Sequence, residues 1–192
     1  VSVGGSGQTL LAAWEDNRFN AAFDLFIARS GNGGLNWSTD TLLPVPVGTS
    51  SQGRRPSVAL RTPDHAYVAY ENLGNVYLTA SVGGETAAFD TPRLIGPGGK
   101  GRTALNGDRA VAVAFEHFTG IAADESARTL GLTVSLDDLA TLTGPHAMPG
   151  TAAVTGVLGP TMTMSDAFID VFWLDVGDAG TRVLRHRSGR LP

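Results

Sequence analysis

Four runs along the chain alternate apolar and polar or small residues and close on an aromatic residue followed by polar ones: TLLAAWEDN (9–17), AYVAYENL (66–73), AVAVAFEHF (110–118) and FIDVFWLDV (168–176). Their aromatic residues, Trp14, Tyr70, Phe115 and Trp173, form one column spaced by about 45 to 58 residues. Alternation with period two is the mark of a strand, and a repeat of this length matches a four-stranded propeller blade. After each run comes a second alternating run: FDLFIARS (23–30), NVYLTASV (75–82), LGLTVSL (130–136) and RVLRHRS (182–188). These end near Ser30, Ser81, Ser135 and Ser188, a second column.

A short strand candidate precedes each aromatic run, clearest at 56–60 and 160–164, with Ser2-Val3 as a truncated counterpart. A fourth is expected at 40–45, at 92–95 and near Leu142. The strand order A-B-C-D therefore recurs, giving approximate blades 1–47, 54–95, 102–148 and 159–192, the last incomplete, in a single propeller domain or segment. One such antiparallel sheet cannot bury both faces alone, so neighbours must stack. A β-sandwich also gives short, regularly spaced strands, but it has no reason to repeat two aligned columns. The expectation is an all-β propeller of about four blades, either part of a six-bladed ring or closed on itself. Open terminal faces would be covered by missing blades, a second chain or closure.

Glycine (25) and proline (10) are plentiful, which suits turn-rich β structure. A net charge of −4 with no basic block argues against tracking nucleic-acid phosphates. No apolar run is long enough to span a membrane, and with no cysteine there is neither a disulfide framework nor a thiolate metal site. The chain begins at Val1 within a strand-like pattern, as a processed or excised chain would. The nearest approach to helical periodicity, 123–132, reads as strand in its second half.

Between the second run and the fourth strand of the first repeat lies Ser30-Gly-Asn-Gly-Gly-Leu-Asn-Trp37. It resembles the Asp box, Ser-x-Asp-x-Gly-x-x-Trp, of the bacterial neuraminidase repeat found in sialidase-like propellers, with Asn32 where Asp is usual. Ser135-Leu-Asp137 and Ser81-Val-Gly-Gly are degenerate copies, the latter with Phe89 as a late aromatic. The resemblance implies that Ser30, Asn32, Gly34 and Trp37 form a blade-locking turn, with Trp37 packed between sheets, on the side of the propeller away from the ligand.

The opposite side would then carry the chemistry. Turns between the B and C strands are expected to present Glu15, Asp16, Arg18, Glu71, Asn72, Glu116, His117 and Asp175. Connections from D to A would present Arg54, Arg55 and Arg102. Arginines can grip a carboxylate bidentately, and paired acids can act as general acid and base at a glycosidic bond. The same repeated glutamates can equally cap blade turns or pair with arginines. The ligand-binding candidates are Glu15, Asp16, Arg18, Arg55, Glu71, Arg102, Glu116 and Asp175. The resemblance also implies an Arg-Ile-Pro element and a tyrosine nucleophile. Arg55-Pro56 echoes the first in part, and Tyr67, Tyr70 and Tyr77 all fall within strand-like runs, so no catalytic residue is assigned.

His65, His117, His146 and His186 lack metal-ligand spacing, so no metal or cofactor is expected. GPGGKG (96–101) reads as a turn connecting blades, and Asp175 to Asp178 as a two-acid, Gly-containing loop that could hold structural Ca²⁺ but lacks the ligand count of a recognised calcium loop. The functional expectation is a secreted or cell-surface recognition or scaffold module that binds a glycan or a protein without turnover. The alternative is an exo-acting glycoside hydrolase of the sialidase type.

Overall fold

The computed structural model describes residues 1–19, 22–49, 53–83, 88–105, 109–118, 128–148, 157–176 and 181–191. Among these residues the chain is all β, with fourteen strands and no helix. It divides into two compact units, Val1–Leu94 and Ile95–Pro192.

In the first unit, β1 (Ser2–Ser6), β2 (Thr9–Asp16), β3 (Asp24–Ser30) and β4 (Thr41–Leu42) pair antiparallel in sequence order. β5 (Gly53–Thr62), β6 (His65–Asn72) and β7 (Asn75–Val82) form a second meander. The expected strand at 40–45 shrinks to Thr41–Leu42, because the chain then turns inward. The Leu43 amide donates to the Leu25 carbonyl at 2.8 Å, and the Pro44 carbonyl accepts from the Tyr70 hydroxyl at 2.9 Å. Alternation puts Leu11, Ala13, Leu25 and Ile27 on the face that packs against Val58, Ala66, Val68 and Tyr70. The small alanines are what let the two sheets approach.

The second unit repeats the plan with β8 (Arg93–Leu105, its first two residues belonging to the first unit), β9 (Val111–Phe118), β10 (Arg128–Ser135) and β11 (Thr143–Ala147). β12 (Val157–Met164), β13 (Phe168–Val176) and β14 (Arg182–Arg190) follow. Its core joins Ala112, Ala114 and Leu130 to Ile169, Val171 and Trp173. GPGGKG is not a turn: it lies inside β8, which runs unbroken for 13 residues. Gly98 is what permits this, since at φ 154° a Cβ there would lie 2.1 Å from the Glu116 carbonyl oxygen. In the stretch 123–132, strand begins at Arg128, and residues 119–127 lie outside the described residues.

A feature the sequence did not announce recurs in β5, β8 and β12. Register slips between Arg54 and Ser57, between Gly99 and Arg102, and between Leu158 and Thr161. Each slip is a β-bulge that sets two residues against one, and the one is Tyr70, Phe115 or Trp173. The first bulged residue has positive φ each time: Arg55 (51°), Lys100 (53°) and Gly159 (51°). The aromatic column thus marks the place where the neighbouring strand kinks.

Candidate functional site

Glu15, Glu71 and Glu116 sit near the ends of β2, β6 and β9, one residue beyond the aromatic column, and are not in turns as expected. Ladder pairing extends past them, to Asp16↔Asp24 and Asn72↔Asn75. The turn after β6 is tight, Leu73-Gly74, with both residues at positive φ. This leaves the glutamates as strand residues facing the bulge.

In the first unit the bulge and two glutamates meet. The Arg55 amide, freed from the ladder by the bulge, donates to Glu15 Oε1 at 2.7 Å. The guanidinium of Arg55 donates through Nη1 to Glu71 Oε2 at 2.6 Å. The Arg55 side chain is 44% exposed, so the rest of the guanidinium faces solvent. Arg54, one residue earlier, lies over the Phe23 ring at 4.9 Å. Asp16 and Arg18 form a separate exposed cluster with Asp40, in which the Arg18 bond holds the Asp16 carboxyl below its ordinary range. Exposed pairs of this kind contribute little to stability.

In the second unit the same position is closed. Glu116 is 1% exposed and accepts from Lys100 Nζ at 2.8 Å, Arg128 Nη1 at 3.1 Å and the Gly159 amide at 3.0 Å. A buried carboxylate is tolerable only when charge and hydrogen bonding are both answered, and here two cations and an amide answer them. Two regularities link the units. Glu15 and Glu116 each take the amide of a bulged residue from the sheet that follows in sequence, and Glu71 and Glu116 each hold the cation on the bulge of their own sheet. In the β12–β13 pair the corresponding residues are Gly159 and Leu174, so charge and countercharge are absent together.

The remaining candidates scatter. Arg102 does not reach Glu116; its guanidinium donates to the Gly101 carbonyl at 3.1 Å. Asp175 is buried and held by Trp173 Nε1 at 2.7 Å and Arg185 Nε at 2.8 Å. Asn72 is fully buried, and His117 packs edge-on against Phe115, burial pushing its pKa down. Asp178 lies outside the described residues, and no group of His, Cys, Asp or Glu suited to a metal ion occurs among those described. Lys100 and Arg128, which matter most to Glu116, were not singled out from sequence. The three bulge pairs, Arg55-Pro56, Lys100-Gly101 and Gly159-Pro160, share no motif that would have marked them.

The Ser30–Trp37 turn is built from its own side chains. Ser30 Oγ accepts from the Gly34 amide at 2.9 Å and donates to Asn32 Oδ1 at 3.0 Å, which accepts from the Asn36 amide at 2.9 Å. Ser135 and Asp137 repeat the pattern with the Leu139 and Thr141 amides at 2.8 Å each. Trp37 departs from expectation. It is 43% exposed and lies over its own turn, Nε1 donating to the Gly34 carbonyl at 3.1 Å, and is not sandwiched between sheets.

Solved structures show that this all-β fold is that of a sialidase-like β-propeller. A Hadza microbial sialidase, Hz136, matches 97% of this chain and 43% of its own length at 13% identity and TM-score 0.59. The Trypanosoma rangeli sialidase in complex with the inhibitor DANA matches 96% of this chain and 35% of its own, at 11% identity and TM-score 0.59. An exo-1,5-alpha-L-arabinanase from a bovine ruminal metagenomic library matches 97% of this chain and 72% of its own, at 9% identity and TM-score 0.57. The chain therefore spans less than half of the sialidases it resembles. No protein-family model matches it, and no curated protein matches it by sequence. At these identities the likeness establishes the fold. No helix among the described residues is long and apolar enough to cross a membrane.

Proposed function

We propose that the chain belongs to an exo-acting glycoside hydrolase of the sialidase type and that Arg55 receives the acidic group of a terminal sugar. The observation that carries this reading is the exposed guanidinium of Arg55, fixed through its backbone by Glu15 and through its side chain by Glu71. A guanidinium offers five N–H donors in a planar fork, and Glu71 engages one of its nitrogens; the exposed remainder suits bidentate contact with a carboxylate. Positive φ at a non-glycine residue is a strained state that the bulge holds in place. A substrate carboxylate would compete with Glu71 for the fork. Glu116, with its three donors, serves the fold.

Glycoside hydrolases recur among the similar solved structures, which weighs toward turnover and against the non-catalytic module first expected. A secreted or cell-surface location goes with this reading. The test is turnover by the intact protein of fluorogenic aryl sialosides, arabinofuranosides and xylosides. The sialoside is expected to be hydrolysed, and Arg55→Ala to lower kcat/KM by roughly 10- to 100-fold, the worth of a charge-assisted bidentate contact. Saturable glycan binding with no turnover of any substrate would replace the hydrolase with a recognition module.

A further inference from the structure

Among the described residues β14 is an edge strand, paired with β13 on one side and with no strand on the other. Most of the other edge strands are blunted in ways that stop a further strand from adding. β4 is two residues long, β11 contains Pro145, and β5 and β12 each carry a bulge and a proline. β14 has none of these features. It runs for nine residues in unbroken register, from Phe168↔Arg190 to Val176↔Arg182, and every residue in it is exposed. One step beyond that register, the Leu191 amide donates to the Ala167 carbonyl at 2.9 Å. Hydrogen-bonded pairs alternate in an antiparallel ladder, so the odd-numbered residues from Val183 to Gly189 direct their backbone groups at β13. The even-numbered ones, among them Leu184, His186 and Ser188, direct their amides and carbonyls at the open edge.

Four of the nine residues, Arg182, Arg185, Arg187 and Arg190, are arginines and none is an acid, in a chain whose net charge is −4. Arg185 is tied through Nε to Asp175 and its side chain is still 55% exposed, while His186 is paired with Asp170. Side chains alternate along the strand, so Arg182 and Arg190 stand on one face and Arg185 and Arg187 on the other. We propose that β14 takes up an acidic, extended segment of a partner protein as an added strand. Backbone hydrogen bonds to the open edge hold that segment, and its carboxylates meet two arginines whichever face they occupy. A second copy of this chain is disfavoured, because two β14 strands laid edge to edge set arginine against arginine. The fourth strands of the repeat are a poor match as well, since β4 and β11 carry no acid. A sulfated polysaccharide or a nucleic acid would meet the arginines but leave the edge amides and carbonyls without ladder partners.

The probes are two fluorescein-labelled decapeptides, one alternating glutamate with valine and the other lysine with valine, titrated with the intact protein by fluorescence anisotropy. The glutamate peptide is expected to bind saturably and about tenfold or more tightly than the lysine peptide. Arg187→Glu combined with Arg190→Glu, one on each face, should weaken it by about tenfold. Arg55→Ala should leave it unchanged, which separates this surface from the hydrolase reading. Hydrogen exchange read by NMR supplies the signature of an added strand. The peptide should slow the amides of Leu184, His186 and Ser188 and leave those of Arg185 and Arg187, already directed at β13, as they were. Absence of saturable binding at millimolar peptide, equal affinity for the lysine peptide, or indifference to the paired substitution would each overturn the proposal. So would binding that leaves the three edge amides fast, the mark of a merely electrostatic surface for polyanions. Slow exchange at those amides in the free protein would also overturn it, by showing the edge already covered.

Discussion

Replacing Glu116 by glutamine tests whether the second unit is held by the ion cluster at its bulge. The carboxylate is 1% exposed and receives three donors, two of them cationic. Hydrogen bonds to charged groups contribute about 1.5–3 kcal/mol each. Lys100 is 28% exposed against 16% for Arg128, so solvent discounts the lysine's share more heavily. Glutamine keeps the shape, removes the charge and turns an NH₂ toward donors, leaving Arg128 beside a neutral amide. The expected cost is about 3–5 kcal/mol, the range for breaking one side of a buried pair. At a urea m-value of about 2 kcal/mol/M, that lowers the midpoint by roughly 2 M. The assay is urea titration read by hydrogen exchange on peptides covering 109–118. Glu15→Gln is the control at the same repeat position, where one amide donates at a site open to water, and should cost about 1 kcal/mol. A cost for Glu116→Gln no larger than for Glu15→Gln would refute the reasoning.

Asn32→Asp should give the first turn the carboxylate that Asp137 supplies in the other, raising Tm by about 2–4 °C at neutral pH through charge-assisted bonds from Ser30 and the Asn36 amide. The gain has a definite pH window. The Thr141 amide bond depresses the pKa of Asp137 below its ordinary value of 3.8, and the introduced acid should behave likewise. A lowered acid pKa stabilises the fold above the unfolded value, and that stability is lost as pH falls through the folded one. The gain should therefore be lost as pH falls below 3.8 in thermal melts. Gly98→Ala should destabilise by about 3 kcal/mol or prevent folding, because the atom in the way is backbone, measured by the same urea titration.

The aromatic column and the two alternating runs were legible because strands write their period directly into the sequence. Trp14, Tyr70, Phe115 and Trp173 all fall within strands, as the spacing indicated. The bulge was not legible, since its left-handed position is held by Arg55, Lys100 and Gly159, which share no side-chain chemistry. Without the bulge there was no reason to pair Glu116 with Lys100. The glutamates were assigned to turns because the polar residues after each aromatic suggest a loop, yet ladder pairing runs through them. Trp37 was expected between sheets because the resemblance of its turn to the Asp box implies that role. Its own turn offers the indole N–H a partner that keeps the ring at the surface.

The central claim is that Arg55 is the residue that meets the ligand. A crystal structure of the intact protein soaked with a sialic-acid carboxylate tests it most directly. The account predicts the sugar carboxylate on the Arg55 guanidinium, with the Glu71 contact lengthened or lost and the Glu15 bond to the Arg55 amide retained. A sugar bound elsewhere, with the 2.6 Å Arg55–Glu71 pair intact, would contradict it.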